Sequence, residues 1–152
     1  MIEVRQLNAA AGREHVEALA NVLLDCVEGG ASVSFMAPFS KREAERFFEE
    51  VVDGVARRDR ILLAAFEDSK LIGTVQILTA TPPNQPHRAD IAKLLVHRSA
   101  RGKGVGTLLM QHAEQAALAA GKTLLVLDAV TGGDAEKLYT RMGWKKVGVI
   151  PN

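Results

Sequence analysis

Between positions 91 and 107 the chain reads Ile91-Ala92-Lys93-Leu94-Leu95-Val96-His97-Arg98-Ser99-Ala100-Arg101-Gly102-Lys103-Gly104-Val105-Gly106-Thr107, and no other stretch restricts the fold as much. Five of its first six residues are apolar, which suits a half-buried or buried strand. Glycines at 102, 104 and 106 then precede apolar residues at helical spacing. A strand that passes through a glycine turn into a helix brings free N–H groups and the positive end of the helix dipole to one point. Phosphate oxygens are the natural occupant of such a point. Arg101 and Lys103 supply matching side-chain charge.

Spacing separates three phosphate-loop readings. The Walker loop fails, because the glycine needed five positions before Gly121-Lys122-Thr123 is Ala116, and the triplet ends a helix instead of starting one. The dinucleotide fingerprint wants its third glycine where Thr107 stands. An acid does follow at Asp128, twenty-two residues beyond Gly106, so a nucleotide-dependent oxidoreductase remains a rival. The pattern Arg-x-x-Gly-x-Gly is met in full by Arg101, Gly104 and Gly106.

The remaining elements follow from periodicity. Residues 2–7 alternate as a strand, and Val16, Leu19, Ala20, Leu23 and Val27 share a helix face that Gly29-Gly30 ends where a left-handed residue is wanted. Residues 31–39 are apolar without helical period. They are either a loop tucked onto the core or one wall of an acceptor pocket. Ser40 and Glu43 form a capping box for a helix carrying Ala44, Phe47, Phe48, Val51, Val52 and Val55 to about Arg57. Residues 60–67 and 70–78, joined by Asp68-Ser69, predict an antiparallel hairpin. Prolines at 82, 83 and 86 break the chain before the central strand. The helix that follows the glycine loop closes at Gly121. Residues 123–128 then form a strand parallel to the central one, 134–142 a helix stopped by Gly143, and 144–150 a last strand. This order predicts an α/β domain with a mixed sheet.

Length and charge exclude much. The 152 residues are enough for one domain and too few for two of ordinary size, so residues 1–152 are read as a single domain. A formal net charge of +1 gives no field that would gather nucleic acid or an acidic membrane surface. Neither partner is expected. Charges within the first five residues and no long apolar run argue against a leader or a membrane span, so a cytoplasmic protein is expected. Cys26 is the only cysteine and reads as a buried thiol. The four histidines have no metal spacing, so no metal site is expected.

The Arg101 to Gly106 pattern resembles the pyrophosphate loop of the GNAT superfamily of acyl-CoA-dependent N-acyltransferases. Leu127-Asp128, Ala135, Leu138-Tyr139 and Gly143-Trp144 resemble that family's second half in order and spacing. The resemblance implies an α/β (α+β) fold with a mixed, mostly antiparallel sheet, a splayed parallel pair of central strands and flanking helices. It implies acetyl-CoA as co-substrate and direct acetyl transfer to the primary amine of a small molecule. The backbone of Leu94, Leu95 and Val96 would pair with the pantetheine arm. The amides of Arg101, Gly102, Lys103, Gly104, Val105, Gly106 and Thr107 would hold the pyrophosphate. Tyr139 would protonate the leaving thiolate, and Asp90 would take the amine proton. Asp128 would bind the substrate ammonium or share the base role, or merely cap the turn at 131–133. Ser32, Phe35 and Met36 would line the acceptor pocket. Arg98 stands where many relatives have proline, and Gly132 where many have asparagine. A catalytically degenerate acyl-CoA-binding regulatory module would share the binding features without turnover.

Gly29-Gly30-Ala31-Ser32-Val33 with Phe35-Met36, and Leu127-Asp128, resemble the tabtoxin-resistance type of acetyltransferase within this family, which implies an amino-acid-like antibiotic or metabolite as acceptor. The family normally adds one more strand after the one at 144–150, whereas this sequence stops at Pro151-Asn152. Three outcomes are open: a tail lost from the sequence, which is favoured, a homodimer that fills the edge, or a shorter sheet.

Overall fold

The structure is a computed structural model that describes residues 1–29, 40–80, 86–127 and 134–145. Five stretches pair into one sheet: β1 (Ile2–Leu7), β2 (Arg60–Glu67), β3 (Lys70–Leu78), β4 (Arg88–Val96) and β5 (Leu124–Val126), in the order β1-β2-β3-β4-β5. β1 to β4 pair antiparallel, and β4 and β5 pair parallel. The mixed, mostly antiparallel sheet implied by the sequence is therefore the one observed. The β2–β3 hairpin has the predicted bounds. Its connecting residues Asp68 and Ser69 both have positive φ, 50° and 72°, the geometry whose twist matches the strands it joins.

The helices are α1 (Ala9–Glu14), α2 (Val16–Glu28), α3 (Lys41–Ala56), α4 (Val105–Ala119) and α5 (Asp134–Arg141). Two apolar cores form, one on each face of the sheet. Leu19, Leu23 and Cys26 of α2, with Phe48 and Val51 of α3, pack with Leu62, Ala64, Phe66 and Leu95. On the other face Val105, Leu109, Met110 and Ala113 of α4, with Tyr139 of α5, pack with Leu63, Ala65, Val75, Ile77, Ala89 and Ile91. Adjacent strand residues thus serve opposite cores, the expected consequence of a two-residue period buried on both sides.

Of the Gly29-Gly30 pair expected to end α2 with a left-handed residue, Gly29 has φ −79° and Gly30 lies outside the described residues. Two expectations change. β4 begins at Arg88, three residues before the apolar run, because Arg88 and Asp90 alternate with the core residues Ala89 and Ile91. β5 is shorter than the run at 123–128, ending at Val126. Beyond Lys145 the expected last strand lies outside the described residues. Among the described residues no helix is long and apolar enough to cross a membrane.

Candidate active site

β4 and β5 are in register only at Arg88, Ala89 and Asp90, opposite Leu124, Leu125 and Val126. From Ile91 onward that edge of β4 has no strand partner among the described residues. A bulge accompanies the parting. Thr74 of β3 lies opposite Leu95 and Gln76 opposite Ala92, so the one residue of β3 between them, Val75, is matched by two of β4, Lys93 and Leu94. The surplus falls at Lys93, whose φ of 55° is left-handed. A non-glycine residue there costs about 1–2 kcal/mol, and such bulges bend a strand away from its neighbour. Burial also pushes the Lys93 ammonium pKa down.

Beyond the bulge the His97 N–H donates to the Ile72 carbonyl on β3. Because strand polar groups alternate in direction, the Leu95 backbone also points to β3, while the Leu94 carbonyl and Val96 N–H point to the bare edge. Of the three residues expected to hold a pantetheine arm, Leu94 and Val96 therefore present their groups to it. The Val96 carbonyl accepts from the Cys26 thiol at 3.4 Å. Burial raises that thiol's pKa, with Arg101 opposing, so it remains S–H.

The bare edge leads to the glycine loop. Gly104 is the N-cap of α4 with φ 77° and no side-chain cap. The first bond within the helix runs from Leu108 N–H to the Gly104 carbonyl, which leaves the N–H groups of Val105, Gly106 and Thr107 pointing out of the helix end. A Cβ at Gly102 or Gly104 would meet nothing within 4 Å, so both open onto space. Arg101 and Lys103 are exposed here, and Lys103 Nζ donates to Glu67 Oε1 at 3.0 Å. A pyrophosphate fits this cradle of uncapped amides and exposed cations.

The loop is fastened from behind by a residue that sequence reasoning missed. Asp25 of α2 accepts from Arg98 N–H at 2.8 Å and from Arg98 Nε at 3.0 Å, and His97 Nε2 lies 3.4 Å away. Burial opposes its ionisation, but the Arg98 hydrogen bonds and the charges of His97 and Arg98 prevail and hold its carboxyl below the usual range. Arg98 thus replaces with a clamp the stiffness that proline would give the loop. Only a carboxylate at the end of an amphipathic helix hinted at this, 73 residues away from its partner.

α5 docks on the same corner. A Cβ on Gly106 would lie 3.2 Å from Leu138 Cδ2 and 4.0 Å from Leu94 Cδ2, so glycine lets α4, α5 and β4 meet. Tyr139, 8% exposed, sits in the α4 core with its ring 6.1 Å from that of Trp144. Its hydroxyl has no hydrogen bond to a described residue, and burial pushes the phenol above its usual 10. Asp90 stands at the last matched pair before the strands part, its Oδ1 accepting from Arg88 Nε at 3.0 Å. Asp128, Ser32, Phe35 and Met36 lie outside the described residues. Among the described residues no group of acidic, cysteine and histidine side chains could hold a metal ion.

The sequence model of the acetyltransferase (GNAT) family matches residues 23–144. The chain belongs to the GNAT acetyltransferase family. Solved structures agree on the fold. A GCN5-related N-acetyltransferase from Ralstonia eutropha JMP134 is 21% identical, with a TM-score of 0.71 over 100% of this chain and 97% of its own. An N-acetyltransferase from Staphylococcus aureus Mu50, also 21% identical, reaches a TM-score of 0.77 over 97% of this chain and 86% of its own. A structure described as a predicted acetyltransferase with acetyl-CoA, from Clostridium acetobutylicum, is 18% identical, with a TM-score of 0.68 over 100% of this chain and 96% of its own. For a GNAT domain, the bare β4 edge and the uncapped α4 end are adjoining parts of one surface.

Proposed function

We propose that this chain transfers an acetyl group from acetyl-CoA directly to the primary amine of a small molecule. The observation that carries the reading is the continuity of the β4 edge, which from Ile91 onward has no strand partner among the described residues, with the uncapped N-terminus of α4. A thioester bound there supplies the acyl group. The Leu94 carbonyl and Val96 N–H orient the pantetheine amides, and the amides from Arg101 to Thr107 hold the pyrophosphate. The amine forms the new C–N bond as the C–S bond breaks. Asp90, alone or with Asp128, takes the amine proton, and the Tyr139 phenol gives its proton to the departing thiolate. A phenol pushed up by burial stays protonated at neutral pH, as a proton donor must. Ser32, Phe35 and Met36 are assigned to the acceptor wall, and an amino-acid-like antibiotic or metabolite is the narrower acceptor reading. The reading places the protein in the cytoplasm.

The test is thiol release from acetyl-CoA across a panel of primary amines, with acetyl-CoA binding followed by titration calorimetry. Tyr139→Phe is expected to lower kcat by about 10²- to 10⁴-fold with little change in acetyl-CoA affinity. Full turnover in a variant of lowered Tm would return Tyr139 to the core. Tight acetyl-CoA binding without thiol release for any amine would overturn the enzymatic reading.

A further inference from the structure

Gln76 is 1% exposed, and among the described residues its Nε2 has no hydrogen-bond partner. Its orientation is set by a neighbour. Arg60 Nη1 donates to Gln76 Oε1 at 2.8 Å, and because arginine offers only donors, the amide oxygen must face it and the NH2 must point elsewhere. Arg60 itself packs against α3, where a Cβ on Gly54 would fall 2.6 Å from Arg60 Nε, and that Nε is likewise buried without a partner among the described residues. A buried donor with a fixed direction and no acceptor is an unusual arrangement in a sheet interior.

Register locates it relative to the reacting end of β4. Gln76 lies opposite Leu62 on β2 and opposite Ala92 on β4, and Leu78, two residues on, lies opposite Asp90. Leu62 belongs to the α2 and α3 core, so Gln76 is on that face. Ala89 and Ile91 serve the α4 core, which puts Asp90 and Ala92 on the face shared with Gln76. Gln76 and Asp90 are thus diagonal neighbours on one sheet face, a relation that spans about 7–8 Å between backbones. The Asp90 side chain is 42% exposed, so the row Arg60, Gln76, Asp90 opens to solvent at its Asp90 end.

We infer that Gln76 is an acceptor-recognition residue: its Nε2 donates to a carbonyl or carboxylate oxygen of the amine substrate while Asp90 meets the amine. The inference rests on the acetyltransferase reading and deepens it. It assigns the acceptor to amines that carry such an oxygen a few bonds from the nitrogen, as in α-amino acids and their amides, and disfavours plain alkylamines. The Arg60 charge behind the amide polarises it and favours the anionic form of that oxygen.

Gln76→Glu tests this, because it keeps an acceptor for Arg60 while replacing the donor NH2 with a carboxylate oxygen. Thiol release is measured for alanine and glycinamide against propylamine and ethylamine. The expected result is a wild-type preference for the oxygen-bearing amines. In Gln76→Glu their KM rises about tenfold or more with kcat little changed, the alkylamines are unaffected, and Tm is held or raised by the carboxylate now facing Arg60. A purely structural Gln76 predicts unchanged KM for every amine, and that result, or an absence of wild-type preference, overturns the inference while leaving the acetyltransferase reading intact. No thiol release by the wild type with any amine overturns both.

Discussion

Two helices of nearly equal length, α3 with 16 residues and α4 with 15, begin in opposite ways. α3 closes its own first turn: Glu43 N–H donates to Ser40 Oγ at 3.1 Å, and Ser40 N–H donates back to Glu43 Oε1 at 3.3 Å. Ser40 needs only an ordinary extended backbone, φ −84°. α4 begins on Gly104 at φ 77°, with no side chain over its first amides and cations beside it. A helix whose role is support satisfies its end within the chain. One that leaves its end bare, where a strand edge is also bare, has reserved those groups for a ligand.

Giving the bare end a side chain should produce the largest effect. Gly104→Val puts a β-branched residue at a left-handed position and fills the open space, and acetyl-CoA affinity should fall at least about 100-fold, or about 2.7 kcal/mol. Calorimetry on folded variant checks this, and parental affinity would show that the open end is not the pyrophosphate site. Next in size is the clamp behind the loop. Asp25→Asn should lower stability by about 1–2 kcal/mol at pH 7, read by urea unfolding. Because the Asp25 carboxyl is held below its ordinary value, its contribution is complete above the unfolded value near ~3.9 and is lost as pH falls through the folded one. Parent and variant should therefore converge as the pH falls below the ordinary carboxylate range; a constant gap would mean that the charge is not what matters.

Ser40→Ala addresses the closed end. It should cost about 1 kcal/mol, or about 2–4 °C in Tm, and leave acetyl-CoA affinity unchanged. A loss of affinity would erase the distinction between the two helix ends. The smallest effect is expected from Glu67→Gln, which releases Lys103 toward a bound phosphate. The pair is partly exposed, so a gain of only about two- to fivefold in acetyl-CoA affinity is expected, shrinking as salt is added. No change, or a loss, would mean Lys103 does not act on the ligand.

What the sequence revealed and what it hid divide along range of interaction. The capping box and the β2–β3 hairpin were legible because their determinants lie within a few residues of one another. So was the glycine loop, whose left-handed Gly104 and adjoining cations are local features. The bulge at Lys93 was not, because it is a mismatch between β4 and β3 and exists only once they pair. Nor was the Asp25 clamp, which joins α2 to residues far along the chain. The place of Gln76 was hidden too, since only the register sets it diagonal to Asp90. Of the Gly29-Gly30 pair, Gly29 ends α2 through ordinary backbone angles, its N–H bonding to the Asp25 carbonyl, and Gly30 lies outside the described residues.

Seen as an insertion, Lys93 has a consequence for the strand's history. Ile91 serves the α4 core, Leu94 and Val96 pack against the same core, and Leu95 serves the other. Strike out Lys93 and the string Ile91, Ala92, Leu94, Leu95, Val96 alternates without error between the two faces. The surplus residue therefore displaces no neighbour from its core. A chain one residue shorter here could keep both cores while β4 ran straight, and its edge could go on pairing with β5. On this account a parted strand edge and a plain structural sheet are one codon apart. The interior, blind to that codon, places no brake on crossing in either direction.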